Sequence, residues 1–137
     1  MKKPTIYLAG AITGLTLKDM RLWWDTASRK LHAHGFLILN PVNTSLDTDS
    51  TTREIVANNM YMIKQSDILL VEMQDRIAPS YGTISEIIYA GMLGKPVIAW
   101  GDSSLLGSPW IAEHITHRLP TLSMALDYLV GNYNVTY

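Results

Sequence analysis

In the stretch "APSYGTISEIIYAG" (78–91), a Pro-Ser-Tyr-Gly turn runs into an apolar helix that carries a single carboxylate, Glu86. Ile84, Ile87, Ile88, Ala90 and Gly91 crowd that helix, so few orientations leave Glu86 in bulk water. A half-buried carboxylate in a crevice has the chemistry of a nucleophile or an acid–base group. The turn before it, Ser80 to Thr83, offers free backbone N–H groups and the positive end of the helix dipole. A glutamate in the first turns of a helix is also favoured by the dipole alone, so spacing by itself leaves both readings open.

Other constellations exclude more than they include. "GAITG" (10–14) has neither the GxGxxG nor the GxxxxGK[ST] spacing, which removes classical dinucleotide binding and Walker-type NTPase chemistry. His32 and His34 stand two apart and face different ways on a helix, while His114 and His117 are three apart without HExxH spacing, so no metal is expected. There is no GxSxG elbow and no cysteine, which leaves out the corresponding serine chemistry, disulfides and thiolate ligands. The expected cofactor complement is none.

The elements that must position Glu86 follow from the pattern. Short continuous apolar runs at "TIYLAG" (5–10), "FLIL" (36–39), "DILLVEM" (67–73), "KPVIAW" (95–100) and "RLP" (118–120) predict five strands. Between them, helices are predicted over 18–34, ending at Gly35, over about 52–65 behind a capping box from Ser50 or Thr51 to Glu54, and over 83–93. Further helices are predicted over 108–117 and over 121–130, the last with Thr121 as N-cap. Alternating strands and helices, with strands apolar throughout, predict a sheet covered on both faces. The expected fold is an α/β flavodoxin-like three-layer sandwich with a five-stranded, mostly parallel sheet, one domain over 1–137. Ligands of such sheets bind outside the carboxyl ends of the strands, where loops 10–14, 40–50 and 74–82 should meet. Gly10 and Gly82 would let a substrate approach the backbone there.

Composition narrows the partners. Apolar residues make up 47% and charged residues 17%, a balance that favours burial of some surface against another copy of the chain. Net charge is −1 and the eleven Lys and Arg are scattered, so polymeric nucleic acid is not an expected partner. The start "MKKPTIYLAG" is too short in apolar residues for a signal h-region or a membrane span, and a cytoplasmic protein with no membrane partner is expected.

"IYLAG" in the first strand, "NNMYMIKQSDILLVEM" leading into the third, and "PSYGTISEIIYAGMLGKPVIAW" together resemble the nucleoside 2-deoxyribosyltransferase superfamily, which includes N-glycosidases acting on 5′-monophosphates. The resemblance runs over residues 5–100 and implies a small-molecule nucleoside or nucleotide substrate and a free nucleobase. It implies that Glu86 attacks C1′ of the sugar and forms a glycosyl ester, with the Tyr7 hydroxyl orienting the carboxylate. Ser80 matches a position where nucleoside-specific members carry Asp and monophosphate hydrolases carry Ser. A serine at a helix N-terminus suits a phosphate. Ala11 and Thr13, however, stand where those hydrolases carry Ser and Arg. Asn59 matches the aspartate that handles the departing base; an amide can hydrogen-bond a base but cannot protonate it, so Asp75, Glu72 or a chain terminus would have to supply the proton. Tyr137 resembles a terminal tyrosine whose carboxylate enters a neighbouring subunit's site, implying a homo-oligomer with shared active sites. The expected activity is transfer of a deoxyribosyl group to another base. Hydrolysis of 5′-monophosphates is the alternative, and a non-catalytic nucleotide-binding sensor a third.

Overall fold

The computed structural model describes residues 3–10, 17–40, 51–74 and 81–135. Ser80, Tyr137, Asp75, Ala11, Thr13 and most of the three loops expected at the sheet edge lie outside the described residues.

The five strands are β1 (Thr5–Ala9), β2 (Leu37–Leu39), β3 (Ile68–Glu72), β4 (Val97–Trp100) and β5 (His117–Leu119). They form one sheet in the order β2-β1-β3-β4-β5, the flavodoxin-like order. Every pairing is parallel, as the alternation of strand and helix predicts. The order reverses between β1 and β3, which puts the switch point beside Tyr7 and Leu69, partners in register.

The helices are α1 (Leu17–Ala33), α2 (Thr52–Gln65), α3 (Tyr81–Met92), α4 (Pro109–Ala112) and α5 (Leu122–Tyr133). Strand alternation divides the core into two layers. Ile6, Leu8, Leu70 and Ile98 face α1 and α5, packing on Trp24, Ala27, Leu31, Ala125 and Leu129. Tyr7, Ala9, Leu69, Val71 and Val97 face the other way, onto Met62 and Ile63 of α2, Ile87 and Ala90 of α3, and Ile111 of α4.

Local signals explain most of the boundaries. Thr51 caps α2 by accepting from the Glu54 N–H at 3.1 Å, and Glu54 reaches back to the Thr51 N–H in a capping box. Helix α1 closes on Gly35 in a Schellman motif: Phe36 N–H donates to Leu31 O and Gly35 N–H to His32 O. Asp67 ties β3 to β1 at the amino edge, accepting from Thr5 N–H at 2.8 Å, which is a structural role.

Three expectations need correction. The helix anticipated over 108–117 is only Pro109–Ala112, because Thr116 is captured by β4: Val97 N–H donates to its hydroxyl at 2.9 Å, and its own N–H donates to Val97 O at 2.8 Å. That pairing pulls His117 into β5, so the last strand starts one residue earlier than "RLP". Helix α3 starts two residues earlier than expected, at Tyr81.

Gly101 closes β4 with φ of +120°, and a Cβ there would lie 2.1 Å from Met73 O. Neither the backbone angle nor the neighbouring carbonyl accommodates a side chain, so Gly101→Ala should destabilise the fold by ~3 kcal/mol or more. Urea unfolding of the variant against the parent checks this.

Candidate active site

Helix α2 runs back from the carboxyl edge of the sheet to β3, and α3 starts at that same edge, so both amino-terminal halves lie where the switch point opens. Thr83, Ile87 and Ala90 bury one face of α3 against the sheet. Glu86 sits on the flank of that face and is itself only partly exposed. From there its Oε2 reaches across to β1 and accepts a hydrogen bond from the Tyr7 hydroxyl. Tyr7 is fully buried, with its ring on the α2–α3 side of the sheet. Two residues 79 positions apart in sequence thus form one side-chain pair.

The electrostatics of the pair are unusual. Burial pushes the Glu86 carboxyl up to about 7, and the Tyr7 hydrogen bond pulls against that by favouring the ionised form. Burial, with the adjacent Glu86 charge and hydrogen bond, holds the Tyr7 phenol far above its ordinary range, so it remains a donor. A carboxylate that is costly to ionise and held by one fixed donor is poised to give up its charge, by taking a proton or by forming a neutral ester.

The other expected residues fall as follows. Asn59 lies on α2 one turn before Met62 and Ile63, the residues that pack on Tyr7's side of the sheet. It is half-buried, and its Oδ1 is buried without a hydrogen-bond partner. An orphaned amide oxygen on this layer fits an acceptor for a ligand N–H. Gly10 is buried directly after β1; a Cβ there would come within 3.1 Å of the Trp23 ring. Gly82 is exposed as the second residue of α3.

Glu72, one of the candidate acids, ends β3 on the face shared with Leu70, and its Cβ is within 3.6 Å of a Cβ built on Gly10 beside Trp23. Alternation therefore sends it to the α1 side, away from Tyr7 and Glu86. It is buried and accepts from Gln74 Nε2 at 3.1 Å. Sequence reasoning missed Thr83, which is fully buried on the inner face of α3. Its spacing of four from Ile87 was the available signal, but it was read as the start of the helix.

Geometry alone leaves the reaction class broad. A family profile described as nucleoside 2-deoxyribosyltransferase matches residues 6–110, a span that includes Tyr7, Asn59 and Glu86. The chain belongs to the nucleoside 2-deoxyribosyltransferase family. No functionally curated protein matches it. Among solved structures, the chain is similar in fold to a 2-deoxyribosyltransferase from Bacillus psychrosaccharolyticus, with a TM-score of 0.69 and 20% identity over 90% of this chain and 91% of that one. A 2-deoxyribosyltransferase from Leishmania mexicana gives 0.73 at 17% identity, covering 95% and 99%. A CMP N-glycosidase from Clostridium botulinum gives 0.63 at 15% identity, covering 91% and 97%. At such identities these likenesses speak for the shared fold. In this family member, the profile's span ends just after Pro109, so β5 and α5 complete the sheet and its α1 face outside the matched region.

Proposed function

We propose that this chain cleaves the N-glycosidic bond of a 2′-deoxyribonucleoside or its 5′-monophosphate through a glycosyl ester on Glu86, and transfers the deoxyribosyl group to another nucleobase. The observation that carries the reading is the Tyr7–Glu86 pair: a half-buried carboxylate raised to about 7, held by a phenol donor, within the family-matched span. An oxygen lone pair of Glu86 attacks C1′, the C1′–N bond breaks, and its electrons leave with the base, which takes up a proton. The resulting ester is neutral, so its formation removes a charge from a poorly solvated place. The nitrogen of an incoming base then attacks C1′, expels the carboxylate and loses its own proton. Such transfers pass through oxocarbenium-like states, for which a carboxylate below C1′ is the essential protein group.

Asn59 Oδ1, buried without a hydrogen-bond partner, would accept from an N–H of the base and cannot itself deliver a proton. Gly10 and Gly82 would serve as positions where the substrate approaches the backbone. A second reading is favoured by Ser80: hydrolysis of 5′-monophosphates, with water as acceptor and Ser80 on the phosphate. The protein would work in the cytoplasm as a homo-oligomer. No described helix is long and apolar enough to cross a membrane.

Incubation with deoxynucleosides and deoxynucleotides, with and without a second free base, tests these readings. Base exchange supports transfer; release of base from monophosphates alone supports hydrolysis; binding without product sinks both. Ser80→Asp should raise KM for a monophosphate tenfold or more through charge repulsion and leave the nucleoside KM nearly unchanged. Equal effects on the two would remove Ser80 from the phosphate. Because the nucleophile must be ionised, kcat/KM should fall about tenfold per pH unit below the Glu86 value of about 7. A flat profile from pH 5 to 8 would contradict the proposed role.

A further inference from the structure

Glu72 is a buried carboxylate at the carboxyl edge of the sheet that the glycosyl chemistry leaves unused. Register places it in a row across the strand ends: Ala9 pairs with Val71, so Gly10 stands beside Glu72, and Glu72 pairs with Trp100. Trp23 of α1 closes over this row. Its ring lies 3.1 Å from a Cβ built on Gly10 and meets the Trp100 ring edge-on, with centroids 5.6 Å apart. Glu72 is left 6% exposed, out of the direct reach of a ligand. Burying a carboxylate is costly, and one of the groups that offsets the cost is the Gln74 side chain, whose Nε2 donates to Glu72 Oε2 at 3.1 Å. Gln74 itself is half-buried, on the rim just past the end of β3.

We propose that Glu72 fixes the Gln74 amide so that it binds the 3′-hydroxyl of a 2′-deoxyribosyl substrate, an assignment that rests on the glycosyl chemistry proposed above. An ionised carboxylate only accepts, so the amide nitrogen must face it, and Gln74 Oε1 turns away together with the second Nε2 hydrogen. One acceptor and one donor held side by side match a hydroxyl, which both donates and accepts. Placement favours the sugar. The crevice at the switch point runs across the ends of β1 and β3, with α1 packed on one face of the sheet and α3 on the other. Glu86 and Asn59 belong to the α2–α3 face, whereas Gln74, tied to Glu72, belongs to the α1 face. A sugar seated over Glu86 therefore meets Gln74 from the opposite side of the crevice. The proposed chemistry gives C1′ to Glu86, the base edge to Asn59 and a 5′-phosphate to Ser80; the 3′-hydroxyl is the polar group of the substrate that remains. Holding the amide in place beforehand lowers the ordering cost of binding.

Calorimetric titration reads this without turnover when Glu86→Gln is the background, so its failure and that of the glycosyl chemistry are separable. The probes are 2′-deoxyadenosine against 2′,3′-dideoxyadenosine, and thymidine against 3′-deoxythymidine. With Gln74 in place, the member carrying the 3′-hydroxyl should bind about tenfold more tightly in at least one pair. Gln74→Leu should abolish that preference by weakening the hydroxyl-bearing nucleoside alone, with the Kd of the dideoxy partner and the far-UV circular dichroism unchanged. Glu72→Leu should lose the preference in the same way, and Glu72→Gln, which can still accept from Gln74 through its Oε1, should keep it. If Glu72→Leu does not fold, Gln74→Glu faces Glu72 with a second carboxylate, breaks the tether from the rim and should lose the preference in its place. Absence of any preference in the background protein would overturn the proposal, as would equal weakening of both members of a pair by Gln74→Leu. Survival of the preference in a folded Glu72→Leu, or its loss in Glu72→Gln, would overturn the part given to Glu72.

Discussion

Glu86→Gln should lose turnover by ~10³-fold or more, and at the same time make the fold more stable above neutral pH. The amide has nearly the shape of the carboxylate and can still accept from the Tyr7 hydroxyl, but it has no anionic oxygen with which to form an ester. The stability effect follows from linkage. In the folded chain Glu86 ionises at about 7 rather than at the ordinary glutamate value of 4.5. A carboxyl raised in this way contributes stability that is fully present below its unfolded value and is lost as pH rises through the folded one. The parent chain therefore loses stability between about pH 4.5 and 7, and the variant does not. The loss corresponds to ~3 kcal/mol at pH 8. Urea unfolding of both proteins at pH 4 and pH 8 checks it: the difference between variant and parent should swing in favour of the variant at pH 8. A pH-independent difference would mean that Glu86 is no harder to ionise in the fold than in water. Stability given up at a site in return for reactivity is a common trade in enzymes.

Tyr7→Phe should lower kcat/KM at pH 7 by ~10–100-fold and move the acid limb of the pH profile upward. The phenol donates to Glu86, and donation to the ionised form favours ionisation. Without it, burial acts unopposed, the carboxyl rises beyond its present value of about 7, and less of the enzyme is competent at neutral pH. Raising the pH should restore part of the lost activity. Phenylalanine fills the same fully buried space, so the fold should change by only ~1 kcal/mol. A uniform loss at every pH would mean that Tyr7 acts through packing or through the substrate and not through the Glu86 charge. The two variants also separate cleanly: one removes the nucleophile, and the other retunes it.

The elements around this pair were legible in the sequence because each rests on a local signal. Apolar runs gave the strands, the Thr51–Glu54 box gave the start of α2, Gly35 gave the end of α1, and Thr121 gave the cap of α5. The alternation of strand and helix required a covered parallel sheet. Where local signals competed with long-range pairing, they misled. Residues 108–117 read as a helix, and β4 took Thr116 and His117 into the sheet instead.

The site divides along the same line. That Glu86 lies in the first turns of a helix at the ligand edge, and that Tyr7 lies in the first strand, were properties of the chain itself. Whether Glu86 was a solvated glutamate or one that resists ionisation was not, because spacing along one helix says nothing about what stands across from it. The parallel order β2-β1-β3-β4-β5 decided that, by putting α3 close enough to β1 for a phenol 79 residues away to meet the carboxylate. The same topology sent Glu72 to the other face, although its position at the end of β3 had made it as plausible an acid as any. The sequence by itself determined which groups reach the sheet's carboxyl edge. The tertiary structure decided which of them share a face, a hydrogen bond and a low-dielectric surrounding, because those depend on contacts between segments far apart in the chain.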